Sequence, residues 1–100
     1  FPHAALYSST TAYLNAVEAA GTDESDAVRK AIGNKPIDDF FAKGGQIRDD
    51  GLLEHDMYLL KVKKPAESES RWDIATVERT IPGDQAYPPL SESGCAMLDN

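Results

Sequence analysis

The chain has 100 residues, of which 41% are apolar, and its 17 acidic residues outnumber its 10 basic ones to give a net charge of -7. This acidity argues against a nucleic-acid partner, because binding to phosphates requires a basic surface. No apolar run approaches the roughly 20 residues that cross a bilayer, and the start lacks the pattern of a signal peptide. The sequence therefore predicts one globular unit, near the lower end of domain size.

Two helices are predicted in the first third of the chain. Over residues 5–20, apolar side chains recur at steps of three and four, which places them along one side of an amphipathic helix. Gly21 suits the left-handed conformation that often follows a helix. A second helix is predicted over 23–32, with Thr22 or Asp23 capping its first N–H groups.

Strands and turns are predicted after the helices. Short strand patterns occupy 46–48, 57–63 and 72–81, and an Asp-Asp-Gly turn after the first favours a hairpin. Residues 82–100 contain several prolines and no sustained periodicity, so they predict an irregular tail. This order predicts an α+β fold, with two helices followed by a small, mainly antiparallel sheet.

The densest cluster of titratable groups is Glu54, His55 and Asp56. A histidine between carboxylates could act as a general base in a small hydrolase, or as a metal ligand. In a strand, however, His55 would point away from both carboxylates, and no spacing typical of a metal site supports the cluster. We therefore predict no catalytic group, no metal and no cofactor.

Aromatic residues and a single cysteine have simpler interpretations. Phe40, Phe41 and Trp72 could stack on a ligand, but their position beside apolar strands favours core packing. Cys95 has no partner for an internal disulfide, so it is a free thiol or pairs with a cysteine elsewhere.

Short motifs occur in a fixed order over nearly the whole chain. They are YSS at 7–9, YLNAVEAAGTD at 13–23, DDFFAK at 38–43, GQIRDDG at 45–51, HDMYL at 55–59, VKKP at 62–65, WD at 72–73, TIPG at 80–83 and PLSESGC at 89–95. In order and spacing these motifs resemble the closing part of type I periplasmic binding proteins, those of branched-chain amino acid ABC transporters.

The resemblance implies a fold and a function. Residues 1–100 would be the C-terminal portion of a two-lobed α/β protein of the periplasmic-binding-protein type I fold. Such a protein closes on a branched-chain amino acid or related small solute in the periplasm and delivers it to a membrane permease, without catalysis. Tyr7 is the one residue that the resemblance nominates as facing the ligand cleft.

Two other interpretations stay open. The chain could be a protein–protein interaction module, or, on the strength of Glu54, His55 and Asp56 alone, a small hydrolase. The chain begins at Phe1 without a methionine, which we interpret as a cut or processed piece. Elements shaped to pack inside a larger protein would expose apolar faces and strand edges, so we also expect self-association.

Overall fold

The structure is a computed structural model that describes residues 2–96 and 98. Its helices and strands, in chain order, are α1 (Pro2–Ala20), α2 (Ser25–Gly33), β1 (Gln46–Ile47), β2 (Leu53–Glu54), β3 (Met57–Val62), β4 (Ala75–Ile81) and the one-turn helix α3 (Gly83–Ala86). Two 3-10 turns lie at Pro65–Glu67 and Leu90–Glu92. The predicted α+β fold class, with two helices followed by antiparallel strands, is confirmed.

The two long helices pack against each other. Helix α1 starts at Pro2, three residues before the predicted start. Proline suits the first turn of a helix because the N–H group that it lacks would have no partner there. Gly21 ends α1 with a φ of 67° and donates its N–H to the Val17 carbonyl at 2.9 Å.

The cap of α2 differs from the prediction. Glu24, not Thr22 or Asp23, is the N-cap, and its carboxylate accepts the N–H groups of Asp26 and Ala27. The Thr22 hydroxyl instead accepts the N–H of Glu24 at 3.2 Å. The hydroxyl thus holds the N–H of the capping residue itself.

The strands form two separate antiparallel pairs rather than one sheet. Strands β1 and β2 make a short hairpin, in which Gly51 turns the chain with a φ of 85°. Strands β3 and β4 make a longer two-stranded unit, here called the ribbon, with an irregularity in register between Leu59 and Leu60. Trp72 to Ile74 precede β4 in a turn and bend, so the strand begins three residues later than predicted.

The tail is more regular than predicted, since it contains α3 and the 3-10 turn at Leu90–Glu92. The predicted tail also includes Met97, Asp99 and Asn100, which lie outside the described residues. Residues 87 and 88 run back along the β1–β2 hairpin, where Arg48 donates a hydrogen bond to the Pro88 carbonyl at 2.7 Å. The start of the tail is therefore held to the hairpin.

The core is small. Its buried apolar side chains among the described residues are Ala16, Val28 and Ala42. The Cα radius of gyration is 16.8 Å, whereas a compact domain of 100 residues has about 13 Å. No helix within the described residues has the length and apolarity required to span a membrane. The ribbon accounts for much of the exposed apolar surface, because every residue of β3 is exposed.

Candidate functional site

Tyr7 lies on an exposed side of α1, near its start. Its side chain is 56% exposed and its ring centroid lies 5.2 Å from that of Phe40, which is 65% exposed. The two rings are tilted by 43°, within the range of favourable aromatic pairs. Together they form an exposed aromatic pair that can contact the apolar side chain of a small solute.

A tight turn holds Phe40 in this place. The Asp39 carboxylate accepts the N–H groups of Phe41 and Ala42, each at 2.8 Å, and the Asp39 N–H donates to the Ala42 carbonyl at 2.9 Å. Because Ala42 is buried, the turn is fixed against the body of the chain. Phe40 is left pointing outward beside Tyr7.

The same carboxylate stays ionised despite its surroundings. Burial, the largest single influence, raises the pKa of Asp39, but the nearby Ser8 hydroxyl and the hydrogen bonds from the Ala42 and Phe41 N–H groups outweigh it. The net result is a pKa below the usual value. Ser8, which follows Tyr7, is 1% exposed, and its hydroxyl oxygen makes no hydrogen bond within the described residues.

A groove of about 470 Å³ lies between α1, the end of α2 and residues 35–39. Its lining residues include Ala16, Ala19, Lys35 and Ile37. The side chain of Tyr7 does not line it. The groove and the aromatic pair are therefore two different surfaces of the chain.

The three groups of the hydrolase hypothesis have separate partners. Glu54 lies 3.6 Å from the Arg48 guanidinium, and Asp56 accepts the Gly83 N–H at 3.1 Å. His55 and Asp56 follow β2 and lie outside any strand, contrary to the strand geometry assumed from the sequence. The two carboxylates are thus held by structural partners.

The His55 ring packs between the aromatic rings of Phe41 and Tyr87. Its centroid lies 5.0 Å from that of Phe41 and 5.9 Å from that of Tyr87, and Nδ1 is 2.8 Å from the Asp56 carbonyl oxygen. Burial, and then the negative charge of Glu54, raise the pKa of the Tyr87 hydroxyl. These contacts give His55 a packing role.

Arg48 forms hydrogen bonds with three parts of the chain. Its guanidinium binds the Asp50 carboxylate, which raises the pKa of Arg48 and lowers that of Asp50. It also bonds to the tail at Pro88 and lies near Glu54. Its own carbonyl accepts a hydrogen bond from Arg29 of α2 at 3.1 Å. Arg48 therefore joins the second helix, the hairpin and the tail.

Metal ligands do not cluster in the part of the chain that the structure describes, where no group of three or more His, Cys, Asp or Glu side chains could hold an ion. Cys95 is a free, partly exposed thiol. Its N–H donates to the Ser93 hydroxyl at 3.3 Å, which places it in a local turn of the tail.

Comparison with known proteins identifies the family. The family model described as periplasmic binding protein matches residues 1–68. The chain belongs to the periplasmic binding protein family. This finding confirms the resemblance seen in the ordered sequence motifs.

Two solved structures resemble this family member closely. A periplasmic binding protein from Burkholderia mallei is 53% identical over 90% of the chain, with a TM-score of 0.84. A branched chain amino acid ABC transporter periplasmic ligand-binding protein from Burkholderia xenovorans LB400 is 41% identical over 91% of the chain, with a TM-score of 0.86. The chain spans 24% of the length of each. A search of the curated proteins found no match.

The aromatic residues show where sequence reasoning was incomplete. Phe40 and Trp72 were predicted in the core, but Phe40 is exposed beside Tyr7 and Trp72 is 78% exposed, with the Arg71 guanidinium 4.9 Å from its ring. Phe41 is partly buried against His55. The pairing of Tyr7 with Phe40 joins positions far apart in the chain, so no local pattern could have indicated it.

Proposed function

We propose that this chain is the C-terminal portion of the solute-binding component of an ABC uptake system, which binds branched-chain amino acids or related small solutes. The observation that carries the proposal is the likeness to the Burkholderia xenovorans ligand-binding protein over 91% of the chain. The remaining length of such a protein would supply most of the binding cleft. The family role also supports a periplasmic location and delivery of the solute to a membrane permease.

This role is one of binding, and we propose that the chain performs no catalysis. The separate partners of Glu54, His55 and Asp56 support this view, since a general base must be free to reach a substrate proton. Closure on a solute requires only that the closed state bind it more tightly than the open state.

Tyr7 is the proposed ligand-facing residue. Its exposure and its pairing with Phe40 support the proposal, because an aromatic pair offers rigid apolar area to an aliphatic side chain. The ionised Asp39 beneath the pair keeps the supporting turn in place. Phe40 would then extend the aromatic area that Tyr7 offers to the solute.

A hybrid receptor tests the function. The matching quarter of the Burkholderia xenovorans protein is replaced by this chain, and thermal unfolding is followed with leucine, isoleucine or valine. Binding should raise the melting temperature, because a ligand at 100 times its Kd adds about 2.7 kcal/mol to the stability of the folded state. The hundred-residue chain alone should show no such rise.

Amides and aromatic acids extend the screen to related solutes. The absence of a shift with every class, in a hybrid that unfolds cooperatively, would contradict the proposed function. A shift in the isolated chain would contradict the need for the remaining lobes.

Tyr7→Ala in the same hybrid tests the ligand-facing residue. Loss of the aromatic contact should weaken binding about tenfold, equivalent to about 1.4 kcal/mol. Tyr13→Ala is the matched control, since Tyr13 is also exposed on α1 but lies six residues further along, on another side of the helix. Equal affinity of the two variants would remove Tyr7 from the site.

A further inference from the structure

The ribbon and the rest of the chain meet at a narrow joint. Residues 55–56 lead from β2 into β3, and residues 82–83 lead out of β4. The Asp56 carboxylate accepts the Gly83 N–H at 3.1 Å, which holds the two passages side by side. Beyond this joint the ribbon makes its main contacts within itself. Passages this short can act as a hinge, since a hinge changes direction through the φ and ψ angles of a few residues.

The start of the tail crosses the joint. Tyr87 and Pro88, here called the strap, follow α3 and contact both sides. On the hairpin side, Arg48 donates a hydrogen bond to the Pro88 carbonyl at 2.7 Å, and the Tyr87 ring stands edge-on to the His55 ring. On the ribbon side, the Tyr87 hydroxyl donates to Met57 Sδ at 3.5 Å. The strap therefore connects the hairpin with the first residue of β3.

The two ends of the strap differ in strength. The bond from Arg48 has a charged donor and is short, as charge-assisted hydrogen bonds are. Its guanidinium is also fixed by Asp50, and the Arg48 side chain is only 13% exposed. A thioether sulfur, in contrast, is a weak acceptor, and Met57 is 38% exposed. The contact with the ribbon should therefore open before the contact with the hairpin.

The later part of the tail does not share this arrangement. Within the described residues, the hydrogen bonds of residues 90–95 stay inside the tail: Glu92 donates to the Pro89 carbonyl, Ser93 to the Leu90 carbonyl, and Cys95 to the Ser93 hydroxyl. The connection across the joint is therefore made by the strap and not by the tail as a whole.

We propose that the strap sets the direction of the ribbon relative to the hairpin, and that its release from Met57 lets the ribbon pivot about the joint. The bond between Arg48 and Pro88 keeps Tyr87 near the joint after release. The contact with Met57 can then form again within one molecule, at a high effective concentration. The device does not depend on which solute the protein binds.

Distances between two spin labels test the proposal. The labels replace the exposed residues Glu18 of α1 and Ala66 at the far end of the ribbon, in a chain with Cys95→Ser. An excess of unlabelled chain removes distances between copies. We expect one narrow distance distribution, and a clearly broader one in Tyr87→Ala. Tyr58→Ala is the matched control, since Tyr58 is a half-exposed tyrosine of β3 that pairs with the opposite strand, and its distribution should stay narrow.

Hydrogen exchange separates a pivot from a general loss of stability. The Gly83 N–H bridges the joint, so it should exchange about tenfold faster in Tyr87→Ala. The amides paired between β3 and β4 should keep their rates, because a pivot leaves the ribbon itself intact. An equal rise in the joint and in the ribbon would overturn the proposal.

Two shortened chains repeat the test without a substitution. A chain that ends at residue 86 lacks the strap, whereas one that ends at residue 92 keeps it. Only the shorter chain should show the broad distribution and the fast exchange of Gly83, and circular dichroism establishes whether each is folded. Equal results from the two chains, or a narrow distribution in folded Tyr87→Ala, would overturn the proposal. An unfolded shorter chain would do the same, because the strap would then hold the whole fold and not the joint.

Discussion

At the scale of single residues, Asp73 closes the connection between β3 and β4. Its carboxylate oxygens each lie 2.7 Å from Lys63 Nζ, and one of them accepts the Glu69 N–H at 3.0 Å. The Glu69 hydrogen bond, followed by that of Lys63, lowers the pKa of Asp73. This carboxylate ties the polar connection to the end of the ribbon.

Replacement of Asp73 should change how stability depends on pH. Because the folded state has the lower pKa, the ionised group stabilises the fold above the unfolded pKa of about 3.9, and this contribution is lost as the pH falls through the folded value. Asp73→Asn should therefore lower the melting temperature near neutral pH. The deficit should shrink towards zero at about pH 2.

The control for this prediction is Asp38→Asn. Lys43 Nζ lies 3.9 Å from Asp38 Oδ1, and both side chains are exposed. Surface ion pairs of this kind contribute little to the free energy of unfolding. Thermal unfolding of both variants at the two pH values is the measurement. A deficit for Asp73→Asn that persists unchanged in acid would mean that the carboxylate charge is not what stabilises the connection.

At the scale of elements, the chain passes twice between the hairpin and the ribbon. Residues 55 and 56 lead into β3, and Pro82 and Gly83 lead out of β4. A Cβ atom on Gly83 would lie 3.2 Å from backbone atoms of His55 and 3.1 Å from Glu54 Cγ. The two passages can lie this close only because one of them carries a glycine.

Gly83→Ala should therefore separate the two passages and destabilise the chain by about 1–3 kcal/mol, the usual cost of overpacking. Urea unfolding measures this loss. Gly33→Ala is the matched control, since its Cβ would meet only the flexible end of Arg29, and its effect should stay within about 1 kcal/mol. Equal effects of the two substitutions would show that the close approach does not constrain the fold.

At the scale of the whole molecule, the chain is elongated, with principal extents of 54, 31 and 18 Å. Helices α1 and α2 pack on each other and α2 contacts β1, whereas the ribbon makes its main contacts within itself. The small core and the exposed ribbon have the same cause. Elements of this family member carry apolar faces that the hundred residues alone do not cover.

Small-angle scattering of the chain, extrapolated to zero concentration, tests this shape. Its radius of gyration should lie clearly above the roughly 13 Å of a compact chain of this length and well below the roughly 30 Å of an unfolded one. The same sample in concentrated urea provides the unfolded control. A value near 13 Å would mean that the ribbon folds back onto the helices.

Local sequence was sufficient for the features that depend on near neighbours. The steps of three and four in apolar residues indicated the first helix, Gly21 marked its end, and the order of short motifs indicated the family. The motif order extends along nearly the whole linear sequence, whereas the first two signals each involve groups within a few positions of each other. Their physical causes, helix periodicity and backbone conformation, are written in consecutive residues.

Tertiary structure alone decided which distant residues meet. It brought Phe40 to Tyr7, joined Arg48 to the carbonyl of Pro88, and left Trp72 in solvent. It also divided the expected sheet into a hairpin and a ribbon. These outcomes depend on how whole elements pack and on how much apolar surface they leave uncovered, which no stretch of consecutive residues specifies.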